Sequence, residues 1–578
     1  MSNPRRTLLL VVLLLIFAVG ISATCVFLLM FAAGTAPTIP DDAALYLKLQ
    51  APWEEIERVD LLNAFGTPQP TLRDIIATIH RAKRDTRIKT LVIQPEVEGA
   101  LWGQLQELHA AIDDFRSSGK PVVAYLEAGT SQEYYLASAA NKVILMPAGE
   151  IDLSGLATYE LFFRGALDKL GVFPDLLHIG DYKTYSNTFN EKGYTPAHRE
   201  MDRSLNKDWF DQLVAAISAG RKRPDADIRK LIDGGPYLAE DAKKAGLVDE
   251  LGYEDQIDDA PPVQGLRRVE GETYQRAMDY SSGLGGERIA LLYAVGTIAS
   301  GKSSFDAPGG QVLGSDTFAS WVRKVRVDPS IRAIVIRIDS PGGSAIASDV
   351  IWRELMLTRD VKPVIVSMGD VAASGGYYMA VPANVIVAEP GTITGSIGVV
   401  TGKFVVKDGL DKLGIGVDSV SDGKNAEINS PFKPFSKDER AKIEEQLQST
   451  YELFLSRVAQ GRHSTPAKID TMAQGRVWTG RQAKDLGLVD ELGGLDAAVQ
   501  VARDRAKIDP KKSIQLVVYP ARRSVFDVLA NPLNSSVESR VQALPRPINS
   551  RLIDAAMSML RLFHRGEPLT LMPNVFVN

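Results

Sequence analysis

One cysteine, Cys25, stands in a chain of 578 residues. An intramolecular disulfide is therefore excluded, and so is any Cys-based zinc or iron–sulfur cluster built within one chain. Histidine is also scarce: His80, His109, His178, His198, His463 and His564 make up the set, and none lies in a triad-like sequence context. Neither sign of charge dominates, since 66 Lys+Arg against 71 Asp+Glu leave a net charge of −5. A polyanion finds no electrostatic attraction there, so nucleic-acid binding is excluded as the main task. There is no excess of Pro, Gln or Ser, and 45% apolar with 24% charged residues rules out global disorder and low-complexity architecture. The length is several times the roughly 150 residues usual for one domain, so two or more cores are expected.

What the chain does have begins at its N-terminus. Residues 7–33 (TLLLVVLLLIFAVGISATCVFLLMFAA) carry no charge. They are enough to cross a hydrocarbon core of roughly 30 Å, and about twice the length of a signal-peptide core, which predicts a retained membrane anchor. Arg5 and Arg6 precede the run and Asp41 and Asp42 follow it, so the bias of positive charge toward the cytoplasm puts everything after residue 36 across the membrane.

Internal repetition organises the rest. GLVDELG occurs at 246–252 and again at 487–493, an offset of 241, and LDKLG recurs at 167–171 and 410–414, an offset of 243. Tyr134-Tyr135 returns as Tyr377-Tyr378, and Ala140-Asn141 as Ala383-Asn384. Ordered matches at one spacing indicate a duplicated unit too long for a solenoid repeat and suited to two tandem α/β domains. The expected division is an anchor (1–36), a first copy (37–270), a second copy (271–515) and a tail (516–578). Short β-branched runs at 333–338, 363–368 and 384–388, and at 90–93, 121–126 and 142–145 in the first copy, alternate with helical stretches. That pattern predicts mostly parallel sheets, closed by long helical regions at 201–220 and 437–461.

The chemistry lies where the copies differ. After its 333–338 strand the second copy reads Asp339-Ser340-Pro341-Gly342-Gly343, where the first has Gln94-Pro95-Glu96-Val97. After the next strand it reads Ala373-Ser374-Gly375-Gly376, where the first has Thr130-Ser131-Gln132-Glu133. Two glycine loops at strand ends can offer N–H groups to an oxyanion, and Ser374 sits at a strand-to-helix turn that exposes its hydroxyl. A serine nucleophile needs a base, which a distant histidine or a desolvated lysine can supply. Lys183 and Lys424 occupy matching places, 16 and 14 residues after the leucine of their LDKLG strings.

The order SPGG, ASGGYY, TITGSIGV (392–399) and GRVWTGRQAKDLGLVDELGG (475–494), behind one anchor and in tandem duplicate, resembles the long form of the signal peptide peptidase A family over roughly residues 40 to 510. The resemblance implies two domains with the fold of the Clp protease subunit and crotonase, and serine–lysine peptidase activity. It implies Ser374 as nucleophile, Lys183 as a base supplied by the other copy, and Ser396 as a hydroxyl orienting that lysine. Gly343 and Gly375 then form the oxyanion hole. Lys424, 50 residues after Ser374, matches the lysine of short single-copy relatives and is the alternative base; Ser131 and Lys183 form a parallel pair in the first copy. Remnant signal peptides and other apolar peptides are the implied substrates, and a homotetramer on the periplasmic side of the bacterial inner membrane the implied assembly. No metal or cofactor is expected. Two other classes compatible with glycine loops are a crotonase-like acyl-thioester enzyme and an inactive anchored scaffold. In the tail, Leu552, Ala555, Ala556, Met559, Leu560 and Phe563 recur at helical spacing, and LMPNVFVN at the end is a candidate packing segment.

Overall fold

The computed structural model describes residues 13–22, 24, 37–56, 70–279, 285–306, 310–521, 567–572 and 576–577. Of the expected anchor, residues 13–22 and 24 are helical and exposed, and the remainder lies outside the described residues, as does the 552–563 pattern. Among the described residues no helix is long and apolar enough to cross a membrane.

The two copies repeat one sheet. In the first, Lys142–Leu145, Val122–Leu126, Ile88–Glu96 and Ala43–Gln50 lie side by side in that order, flanked by Glu250–Leu251 and Arg267–Glu270, all parallel. In the second, Val385–Ala388, Val364–Ala373, Ile331–Ser340 and Glu287–Val295 repeat the order, flanked by Glu491–Leu492 and Ile514–Tyr519. Helices cover the faces, so the strands are apolar almost throughout, as buried parallel strands must be.

The repeated dipeptides explain themselves at the level of hydrogen bonds. Asn141 and Asn384 each accept from the first N–H of the third strand, Val122 and Val364, at 2.8 Å in both copies. Tyr134 and Tyr377 each donate to a carbonyl in the repeated heptapeptide, Leu247 and Leu488. Asp249 and Asp490 each accept from a strand N–H, Val143 and Ile386, and pair with Arg221 and Arg462. The two tyrosines are buried and the Asn and Asp side chains exposed, yet each bonds a fixed backbone group, so the same side chains recur wherever the same backbone does.

The helices expected at 201–220 and 437–461 are Pro196–Arg221 and Lys437–Gly461. The Gly271–Asp279 helix, past the expected boundary at 270, packs on the first sheet through buried Tyr274, whose hydroxyl lies 3.1 Å from Asp85. The copies meet along polar contacts that periodicity does not reveal. Arg337 of the second copy is buried against Glu55 and Glu107 of the first. The Gln104 N–H donates to Asp370 at 2.8 Å, and Trp209 Nε1 donates to the Gly391 carbonyl at 3.0 Å.

A third sheet draws on both copies and the tail. Its order is Ser304–Asp306, Gly310–Gly314, Thr297–Ala299, Gly342–Ser344, Leu569–Leu571, Val399–Val405, Phe173–Ile179. The last two strands pair antiparallel, Val399 opposite Ile179 and Val405 opposite Phe173. A first-copy strand is thereby carried onto the second copy, and the chain leaving it runs directly toward Ser374.

Candidate active site

Lys183 ends that excursion. Its Nζ lies 2.7 Å from Ser374 Oγ, 2.8 Å from the Ser396 carbonyl and 3.0 Å from Ser396 Oγ. All three residues have no exposed surface. Burial pushes the Lys183 amine well below the usual ammonium range, with no carboxylate opposing the shift. A neutral amine has two N–H donors for the two Ser396 oxygens and one lone pair for the Ser374 hydroxyl, which matches these three neighbours.

Close backbone approach holds the lysine there. Gly475 has φ +77, and a Cβ on it would come within 2.5 Å of the Lys183 N, Cα and Cβ atoms. A Cβ on Gly398 would sit 3.1 Å from Lys183 Cδ, and one on Gly180 2.3 Å from the Gln474 carbonyl carbon. The Tyr182 N–H donates to the Gln474 carbonyl at 2.9 Å, the Gly475 N–H to Ile397 at 2.8 Å, and the Ser396 N–H to Arg476 at 2.7 Å. Residues 474–476 thus clamp the lysine segment and the Ser396 segment together.

Ser374 caps the short helix Gly375–Ala380 with φ 55 and ψ −111, a conformation that L-residues rarely adopt. Its N–H donates to the Gly395 carbonyl at 2.8 Å. Strain at a residue whose hydroxyl faces a base is a hallmark of stored functional geometry. The glycine loop approaches from the neighbouring strand. Gly342 has φ +103, and a Cβ there would lie 1.9 Å from the Thr570 carbonyl oxygen and 2.7 Å from the Gly375 nitrogen. Only glycine lets these groups converge.

Lys424 does not join the site. Its side chain is 76% exposed and ion-paired with Asp438 at 2.9 Å, in a segment whose Leu413, Ile415 and Val420 are also exposed. In place of the strand that leads to Lys183, the second copy has an unpaired stretch among the described residues. Ser131 opens a helix in the first copy and donates to the Gly155 carbonyl at 3.2 Å.

Two features of the site were absent from the sequence reading. Gly475 opens the 475–494 motif, and only its positive φ against Lys183 gives it a task. The Leu569–Leu571 strand, whose last residue begins the terminal LMPNVFVN segment, lies against the glycine loop. Apart from this site, Glu160, His198 and Asp202 bring donor atoms within 4.8 Å of one another, a set that could hold a metal ion. His198 Nε2 stands 3.0 Å from Glu160 Oε2, and no residue is shared with the Ser374 cluster.

The model of peptidase family S49 matches residues 114–260 and 357–509, one stretch in each copy. The chain is 36% identical to Protease 4 of Salmonella typhi over 503 residues, 84% of this chain and 80% of the relative. It is 34% identical to the chloroplastic serine protease SPPA of Arabidopsis thaliana, with 79% and 69% covered, and 34% identical to Protease 4 of Haemophilus influenzae, with 74% and 72% covered. Matched across both copies and over most of its length, the chain belongs to peptidase family S49 and is a serine peptidase.

Proposed function

We propose that this peptidase is a membrane-anchored endopeptidase that hydrolyses remnant signal peptides and other apolar peptides through an acyl-enzyme, with Ser374 as nucleophile and Lys183 as base. The observation that carries the reading is the 2.7 Å approach of a buried, uncompensated amine to a buried serine hydroxyl. Neutral Lys183 takes the Ser374 proton as Oγ attacks the substrate carbonyl. The N–H groups of Gly343 and Gly375 receive the oxyanion, and Ser396 holds the amine through its carbonyl and hydroxyl oxygens. The protonated lysine then delivers its proton to the leaving amine, and afterwards deprotonates the water that cleaves the ester.

The uncharged run at 7–33 supports anchoring, with the catalytic part on the periplasmic side of a bacterial inner membrane, where cleaved signal peptides remain. Parallel sheets with glycine loops at strand ends support a fold related to the Clp protease subunit and crotonase. The exposed apolar segment around Ile415 and Val420 supports assembly, here a homotetramer, whose mass in detergent is the check. The test of the mechanism is a fluorogenic apolar ester and amide given to the detergent-solubilised chain. A burst on the ester and a mass increase on the peptide containing Ser374 are expected. Turnover with no adduct at Ser374 would overturn the assignment.

A further inference from the structure

Glu160, His198 and Asp202 form a cluster that the peptidase chemistry does not use. Glu160 follows the Thr158–Tyr159 strand, and His198 and Asp202 stand one turn apart at the start of the Pro196–Arg221 helix, a spacing that puts both on one face. His198 Nε2 lies 3.0 Å from Glu160 Oε2 and 3.8 Å from Asp202 Oδ1, and one donor atom from each residue falls within 4.8 Å of the others. Ligand atoms about 2.1 Å from a common ion stand roughly 3 to 4 Å apart, so one ion fits among these three. The imidazole has no exposed surface, and the Glu160 and Asp202 side chains are only 2% and 6% exposed. Aromatic rings wall the site: Phe162 and Tyr194 meet His198 edge-on, with centroids 6.0 and 4.9 Å away. The Tyr194 hydroxyl stands beside Asp202, yet none of the side-chain nitrogen and oxygen atoms of the three residues closes a hydrogen bond. Among the described residues neither carboxylate is paired with a lysine or arginine. Buried polar atoms are normally satisfied and buried carboxylates normally carry a counter-charge. A dication supplies both at once, taking a lone pair from each residue and cancelling the two carboxylate charges.

We propose that Glu160, His198 and Asp202 bind a divalent transition-metal cation of the zinc class, which pins the chain after Thr158–Tyr159 to the first turns of the Pro196–Arg221 helix. An imidazole with two carboxylates suits such an ion, whereas Mg²⁺ and Ca²⁺ favour oxygen ligands throughout. The place of the site in the fold gives the ion a task. Between the two helical ligands, Glu200 accepts from Arg476 at 2.7 Å and from the Tyr182 hydroxyl at 3.1 Å, and the Met201 sulfur accepts from the Val477 N–H at 3.3 Å. These bonds hold the segment that clamps Lys183, and Tyr182 is the residue before that lysine. A metal that fixes residues 198 and 202 therefore fixes the turn on which the lysine clamp rests. The three ligands are positioning residues, acting on the reaction only through that turn. The metal site stands independently of the peptidase reading; its effect on turnover rests on it.

The experiment uses the detergent-solubilised full chain without a metal-binding tag, stripped with a chelator and then dialysed against Zn²⁺. Expected are one zinc per chain by elemental analysis and an X-ray absorption spectrum with one imidazole nitrogen and carboxylate oxygens around the metal. Zn²⁺ should raise the melting temperature of the stripped chain by several degrees, as a ligand of the native state alone does. Glu160→Gln with Asp202→Asn should lose both the stoichiometric metal and the thermal response. On a fluorogenic apolar peptide, stripping should lower kcat by about threefold to tenfold with KM held, and Zn²⁺ should restore it, because the ion acts on the placement of Lys183. Substoichiometric zinc, a metal sphere without imidazole, or metal retained by the double variant overturns the proposal. The first two are read on the parent chain, so a variant that fails to fold does not shield it. Zinc held by these residues with kcat unmoved by its removal overturns the positioning role. A zinc-loaded, folded chain that hydrolyses no peptide strikes the peptidase mechanism and leaves the metal site standing.

Discussion

The two copies share a strand order, a set of polar anchors bonded to the backbone and a turn after the third strand, and at that turn they part. In the first copy Thr130 has φ −83 and caps its helix, accepting from the Gln132 N–H, while Glu133 reaches back to the Thr130 N–H. The second oxygen of Glu133 accepts from Val97 at 2.8 Å, so the carboxylate also consumes a donor of the neighbouring loop. In the second copy Ser374 has φ 55 and no side-chain cap bond, and glycines stand where a carboxylate would close the loop. One turn is relaxed and internally satisfied, the other strained and open. A duplicated fold can therefore hold its shape while one turn is closed by a carboxylate and the other is built of glycines, and Lys183 of the first copy lies beside Ser374 of the second.

The largest effect should come from breaking the site on its own terms. Ser374→Ala and Lys183→Ala should each lower kcat on a fluorogenic apolar peptide by about 10⁴-fold or more. Ser131→Ala and Lys424→Ala should stay within about twofold; a collapse with Lys424→Ala would make the second copy self-contained and end the comparison. Next comes the clamp. Gly475→Ala forces a Cβ against Lys183 backbone at a positive φ. It should cost on the order of 10²-fold in kcat, with little change in KM, because the amine is displaced by about an ångström.

The pH profile sharpens the account of Lys183. Its amine must be neutral to act, and burial lowers its pKa, so kcat/KM should rise about tenfold per pH unit through that lowered value and then level off. A steady fall from pH 6 to pH 9 in a folded enzyme would contradict it. The interface between the copies should show the opposite slope in stability. Burial raises Asp339 to about 7 and Glu389 to about 8. Carboxyls whose folded pKa lies above the unfolded one favour the folded state when protonated, so that contribution is present at low pH and lost as pH rises through 7 to 8. The melting temperature should fall by a few degrees across that window, and Asp339→Asn with Glu389→Gln should flatten the fall. The smallest effects contrast the two turns: Ser374→Gly should stabilise by about 1 kcal/mol by relieving the positive φ, and Thr130→Ala should destabilise by about 1 kcal/mol by removing the cap, both read by denaturant unfolding.

Much of the fold was legible in sequence because buried parallel strands need β-branched runs and their polar anchors recur with the backbone. The strands expected at 333–338 and 363–368 lie within Ile331–Ser340 and Val364–Ala373. The packing of the Gly271–Asp279 helix on the first sheet is not legible locally, because it rests on Tyr274 meeting Asp85, a contact across 189 residues. The cross-copy contacts of Arg337 were invisible for a similar reason: an arginine inside an apolar strand reads the same whether it is paired or not.

At the site, sequence alone determined the chemistry on offer: one serine at a strand-to-helix turn, two glycine loops, two lysines at matching offsets and no histidine in a triad-like context. It could not choose between Lys183 and Lys424, because the spacing rules that set them equal are local. The tertiary structure sets them apart, by pairing Phe173–Ile179 of the first copy with Val399–Val405 of the second, which brings Lys183 to Ser374, and by leaving the Lys424 segment on the surface. Desolvation follows from that placement, and desolvation separates an amine that can accept a proton from one that already carries it.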